Sequence, residues 1–146
     1  AGIAARNELR HDLCHVIDFV PTVLAVAGAN PELPAGAPPR PGLSLAPAFA
    51  RDGAASHDAL FFSHENNRAL HAGTFKLVSA HCDGNAWELY DLAADRGEQH
   101  NLASAQPDRV RDLAARWQAL SDQYAKDAGP VIPLPGKKKA GEKTDD

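Results

Sequence analysis

His64, Glu65, Asn67 and Arg68 crowd an imidazole, a carboxylate, an amide and a guanidinium into one short stretch. Such a group can bind a polyol or an anion by directional hydrogen bonds, because guanidinium and amide N–H donate and the carboxylate accepts. The plainer alternative is a hairpin corner whose Asn caps the turn and whose Arg pairs locally. Other candidates carry less. His11 and His15 have the i, i+4 spacing of a helical metal pair. Asp18 reads as a helix cap, however, so both precede the helix and need not share a face. Asp12 and His15 find no Ser at a strand-to-helix turn, so a hydrolase triad is not supported. His71 and His81 end strands and are expected to be exposed. Cys14 and Cys82 make no Cys-x-x-Cys pair and no zinc spacing. They read as two free or buried thiols, and spacing does not decide whether they pair.

The elements around this corner follow from local pattern. With Asp18 as cap and Pro21 in the first turn, Phe19, Val20, Val23, Leu24, Val26 and Ala27 make a helix over roughly 18–28. Gly28 can end it in a left-handed conformation. Its surface is apolar almost all round, which predicts a short buried helix. Pro31, Pro34, Pro38, Pro39 and Pro41 then exclude regular structure, so residues 30–42 form an extended Pro-rich loop. The segment 43–49 is expected to close into one or two helical turns, inserting Leu45 and Phe49 as apolar pegs.

Alternation predicts strands over 59–64, 67–71, 74–81 and 86–91. Turns fall at Ala72-Gly73 and Asp83-Gly84-Asn85. From Pro107, the residues Val110, Leu113, Ala114, Trp117, Leu120 and Tyr124 form one helical stripe, ended by Gly129-Pro130. Trp87, Trp117 and Phe75 are expected in the core. The fold class is α+β: a small four-stranded antiparallel sheet packed by a long C-terminal helix, preceded by the short helix and the Pro-rich loop. The expected divisions are 1–17 as a linker or the end of an upstream domain, 18–128 as the folded unit, and 129–146 as a disordered tail.

Bulk properties limit the partners. The chain has 146 residues and a formal net charge of −4, and 44% of it is apolar. Of those residues 28 are Ala, so an independent core is modest, because burial contributes only about 25 cal/mol per Å². A face that docks on something larger is expected, and self-association of that face is a further expectation. Lys137-Lys138-Lys139 is the one basic run, with acids close behind it, which argues for a solvated tail and against nucleic acid. No stretch of 18 apolar residues exists, so no membrane span is expected. There is no Met at position 1 or elsewhere. The chain is therefore expected to be processed, or to be a piece of something longer.

Three blocks, in order, resemble the C-terminal end of type I sulfatases, the arylsulfatase family of the alkaline-phosphatase-like superfamily. The first is His15-Val16-Ile17-Asp18-Phe19-Val20-Pro21-Thr22-Val23-Leu24 with Ala27-Gly28, similar to the family's Asp-x-x-Pro-Thr helix ending in Ala-Gly. The second is Gly42-Leu43-Ser44-Leu45, which resembles a Gly-x-Ser-Leu segment after the proline loop. The third runs from the His-Glu-x-Asn-Arg corner at His64–Arg68 through Trp87-Glu88-Leu89-Tyr90-Asp91-Leu92 to Asp95, Glu98 and Asn101-Leu102-Ala103. Together they span about residues 10–125.

The resemblance implies a sulfuric-ester hydrolase whose nucleophile and metal lie in a larger N-terminal domain. That nucleophile is a formylglycine made from Cys or Ser in a Cys/Ser-x-Pro-x-Arg motif, and the metal is usually calcium. Neither Cys14 nor Cys82 is followed by Pro and Arg in that pattern. This chain is therefore expected to contain no cofactor, to be inactive alone, and to complete the fold and shape the substrate cleft. Its expected partners are the N-terminal catalytic domain of the same protein and a sulfated small molecule or glycan. The resemblance also implies that His64, Glu65, Asn67 and Arg68 face the substrate, and it favours a periplasmic or secreted location. Two alternatives are a stand-alone, non-enzymatic binding or scaffold module and a lobe of a related phosphatase or phosphonate hydrolase.

Overall fold

A computed structural model describes residues 7–29 and 32–129. The start of the expected linker and the expected tail from 130 onward lie outside the described residues.

The meander forms where period-2 alternation and turn residues agree. Strands β1 (Leu60–His64), β2 (Asn67–Ala72), β3 (Phe75–Ser79) and β4 (Glu88–Asp91) pair antiparallel in chain order. Glu65 and Asn66 join β1 to β2 with φ of 48° and 68°. Two successive positive φ values define the two-residue turn whose twist matches that of the strands. Gly73 supplies the positive φ of the next turn, as expected, but the turn spans Gly73-Thr74 and not Ala72-Gly73. Between β3 and β4 a 3-10 turn at His81–Asp83 ends on left-handed Gly84, and Asn85 follows at φ 62°.

The centre of the core lies on the sheet face that carries Phe61, Leu70, Leu77 and Leu89, which the register places side by side, while Leu60, Ala69 and Tyr90 are buried on the opposite face. Leu70, Leu77 and Leu89 are completely buried. The long helix α2 (Pro107–Ala128) crosses this face. Its Trp117 is buried, stacks on Phe61 with ring centroids 5.2 Å apart, and donates its indole N–H to the Phe62 carbonyl at 3.0 Å. Tyr124 meets the Phe61 ring edge, and Arg109, although off the apolar stripe, lies over Phe75 at 3.9 Å. Trp87 and Phe75 are half-buried at the border of this core.

A polar clamp organises the chain ahead of the sheet. Asp18 is completely buried. Its carboxylate accepts the His15 N–H at 2.7 Å, the Leu43 N–H at 2.8 Å and His57 Nε2 at 2.7 Å. Thr22 Oγ1 donates to the Asp18 carbonyl and accepts the Leu45 N–H. Gly42 packs so tightly on this turn that a Cβ there would overlap the Ile17 carbonyl. The first two sulfatase-like blocks are thus one physical unit. Upstream, Asp12 accepts the N–H groups of Gly53 and Ala55, and Leu13 exchanges bonds with Ser56 and His57.

Three expectations are corrected here. The helix α1 (Phe19–Val26) forms and ends at left-handed Gly28, but it is not buried: Phe19, Val20, Val23 and Val26 are each more than half exposed. Its neighbours, the 3-10 turns at Val16–Asp18 and Ala46–Phe49, cover one side only, whereas its apolar residues run around the whole surface. Asp18 stands at its N-cap position without a side-chain cap bond, because its carboxylate is taken by the clamp. Finally, Leu45 is half-buried but Phe49 is exposed, and the small Ala48 is the buried residue of that turn.

Candidate functional site

The four corner residues lie on and beside the β1–β2 turn, but strand geometry divides them. His64 and Asn67 are direct cross-strand partners and share one face, whereas Arg68 pairs with Ser63 on the other. His64 and Glu65 are almost fully exposed and stand 3.9 Å apart. Asn67 is tied down: its amide donates to the His64 carbonyl at 3.1 Å and its oxygen accepts the His81 N–H at 3.0 Å. The turn-capping alternative for Asn67 therefore describes its bonds.

Arg68 points into the α2 side. Its guanidinium carbon sits 4.4 Å from the Trp87 ring centroid and 5.4 Å from that of Trp117. Its Nη2 donates to Ser79 Oγ, itself fully buried, and to the Asn85 carbonyl, each at 3.1 Å. Packing on two indoles and bonding at one nitrogen fix the planar group in one orientation. Ser63, Asn66, Arg68, His81, Asn85 and Trp117 line an open cleft of about 500 Å³ beside it. His81 and Asn85 come from the β3–β4 connection. The sequence pattern puts His81 at a strand end and Asn85 in a turn without joining either to the corner. A signal was available, since Asn at two turns can hold positive φ while presenting an amide.

Other ionisable groups are structural. Burial opposes charge on Asp18, but the N–H groups of His15 and Leu43 and the His57 ring outweigh it and hold its carboxyl below the usual range. Burial lowers His71, helped by the Lys76 ammonium across the strand pair. His71 is half-buried and not exposed as expected, while His81 is exposed. Burial and the Glu88 carboxylate push the Tyr90 hydroxyl up to about 12. His11 is bound by Asp52 through ring and backbone, and His15 packs edge-on against Phe62. Among the described residues, no group of three or more His, Cys, Asp or Glu is placed to hold a metal ion. The β4 edge is closed by the last sulfatase-like block: Asn101 accepts the Leu89 N–H, and Leu102 donates to the Leu89 carbonyl at 2.7 Å.

No family model matches the chain. It is 31% identical to an uncharacterized sulfatase of Schizosaccharomyces pombe, over 70% of this chain and 20% of that protein. The chain is a part-length relative of sulfatases. The solved structure of a 2-O GAG sulfatase is similar over 77% of this chain and 25% of its own, at 28% identity and a TM-score of 0.52. A structure solved in complex with its substrate, D-glucosamine-2-N,6-O-disulfate, matches with a TM-score of 0.56 and 24% identity over the same shares, which bears on fold alone. The sulfatase-related chain thus spans about a fifth to a quarter of the proteins it matches, in agreement with its reading as a C-terminal sulfatase subdomain. No helix among the described residues is long and apolar enough to cross a membrane.

Proposed function

We propose that this chain is the C-terminal lobe of a sulfuric-ester hydrolase of the arylsulfatase type, where it completes the fold and shapes the mouth of the substrate cleft. The observation that carries this is its similarity to sulfatases over 70% of its own length but only 20% of the relative's. A lobe of this kind has no nucleophile of its own, consistent with a sequence in which no Cys or Ser opens a Cys/Ser-x-Pro-x-Arg motif. The formylglycine and calcium are assigned to the portion of the protein outside this chain. When bound there, they would supply the nucleophile and the charge that offsets the transferred sulfate.

Within this lobe His64, Glu65, Asn67 and Arg68 are the proposed substrate-side residues, with unequal parts. His64 and Glu65 are free to meet a substrate. Asn67 shapes the turn. Arg68 is held rigidly and meets solvent from the opposite face. The substrate class is a sulfated small molecule or glycan, in line with the relative described as a 2-O GAG sulfatase. A periplasmic or secreted location belongs to the same reading.

The test is kinetic. The isolated chain should release no sulfate from aryl sulfates or sulfated sugars. In the full-length protein, His64→Ala and Arg68→Lys should each lower kcat/KM, by about tenfold where a directional hydrogen bond to the substrate is lost. Unchanged kinetics across sulfated substrates would remove the corner from the substrate side. Turnover by the isolated chain would end the lobe reading.

A further inference from the structure

We infer that the outer edge of β1 pairs antiparallel with the same edge of a second copy of this chain, in a two-fold dimer centred on Phe62. This goes beyond the lobe reading, because the contact is built from this chain alone and takes no part in hydrolysis.

The turn decides which backbone groups face outward. Glu65 and Asn66 form a two-residue turn, so His64 and Asn67 are a hydrogen-bonded pair. Alternation then directs the N–H and carbonyl groups of Leu60 and Phe62 toward β2, and those of Phe61 and Ser63 away from it. Among the described residues the outward groups of Phe61 and Ser63 have no hydrogen-bond partner. The two ends of the sheet therefore differ. On β4 the outward residue Leu89 is bonded to Asn101 and Leu102, whereas the outer edge of β1 is open. The stretch Leu60–His64 also lacks the devices that blunt an edge, having no Lys, no Pro and no bulge in its register.

This edge complements itself. A two-fold axis through Phe62 sets that residue opposite Phe62 of the second copy, and sets Phe61 opposite Ser63 in both directions. Each outward N–H then meets an outward carbonyl. The side chains agree with the backbone. Phe62 is 38% exposed, and its own copy would cover it, as aromatic pairs directly across antiparallel strands are favourable. Phe61 would meet the small Ser63, beside an opening of about 200 Å³ bordered by Ile17, Pro41 and Tyr124. Residues 60–64 carry no carboxylate, ammonium or guanidinium, so no like charges are brought together within the pair. Because β4 is closed, joining the two β1 edges leaves neither end of the combined sheet open, and assembly ends at two. The paired stretch is short against a standard interface of about 1,600 Å², which makes the dimer weak and reversible.

The test is sedimentation of this chain over a range of concentrations, together with amide exchange. The chain should pass reversibly from monomer to dimer and no further. Protection of the Phe61 and Ser63 amides should rise with concentration, while that of Phe62, already bonded toward β2, should not. Ser63→Pro removes an outward N–H, leaves the bonds to β2 in place, and suits an edge strand. The lost N–H occurs twice in the dimer, so dissociation should become about thirtyfold easier. Phe62→Lys sets like charges opposite one another and should abolish the dimer, with the sheet signals of a folded monomer retained. Val23→Ser, on the exposed side of α1, should leave the protection of Phe61 and Ser63 intact. A monomer at every concentration, assembly beyond the dimer, or association with these two amides unprotected would overturn the proposal. So would a monomeric full-length protein in which both amides are protected, since an upstream segment would then occupy the edge. Each of these results leaves the hydrolase reading to the kinetics of the full-length protein.

Discussion

The helices α1 and α2 reverse the usual relation between composition and burial. Helix α1 is apolar on nearly every side, yet Phe19, Val20, Val23 and Val26 are exposed. Helix α2 is mostly polar, yet its Trp117 is buried among aromatic partners. A stripe of apolar residues is satisfied by one sheet face, whereas a helix apolar all round needs cover on every side. Within this chain the sheet and α2 satisfy each other. Around α1 order comes from hydrogen bonds to Asp18 and Thr22, and its apolar surface contributes little. One region is held by area, the other by polar bonds that must all be made.

Breaking the apolar half should have the largest effect. Leu77→Ala removes a completely buried side chain from the centre of the sheet and should cost about 4 kcal/mol. Urea unfolding of the chain checks this, and a loss below about 1 kcal/mol would mean the core collapses around the gap.

Breaking the clamp comes next. Asp18→Ala strands the N–H groups of His15 and Leu43 and the ring of His57, at about 3 kcal/mol. The same carboxylate makes the contrast depend on pH. Its folded pKa lies below the ordinary 3.8. Its contribution is therefore present above that value and is lost as pH falls through the folded one. On acidification the amides of Leu43 and Leu45 should lose protection before that of Leu77 does. Simultaneous loss would show that the two halves unfold as one.

Gly42→Ala should cost about 2 kcal/mol by pushing the loop off Ile17, read as a fall in Tm with the sheet signals unmoved. The smallest effect should follow Val23→Ser. At 65% exposure it should change the stability of the chain by less than about 0.5 kcal/mol. It should also reduce any concentration-dependent self-association seen by sedimentation. A large destabilisation would mean that α1 is packed in solution.

The legibility of the sequence follows the same division. The strands, both helices and their turns could be read because alternation, helical spacing and left-handed glycines are local signals. The exposure of α1 is not legible, because composition reports how much cover a helix needs, not what this chain supplies. Asp18 looked like an ordinary cap, since its partners Leu43 and His57 are 25 and 39 residues away. The corner His64–Arg68 was visible as a polar cluster, but neighbours on a strand point to opposite faces. The cleft beside Arg68 takes His81 and Asn85 from a connection that only the folded register brings near.

Asn101 and Leu102 have a further consequence for how such a sheet coexists with other chains. Leu89 directs its N–H and carbonyl away from β3, and both are occupied, by the Asn101 side chain and the Leu102 N–H. The β4 margin therefore offers no free template at its centre for an incoming strand. A single amide and the residue after it act as a chain terminator for β-sheet growth. Protection against fibrous assembly at that margin is written into a side chain outside the sheet itself.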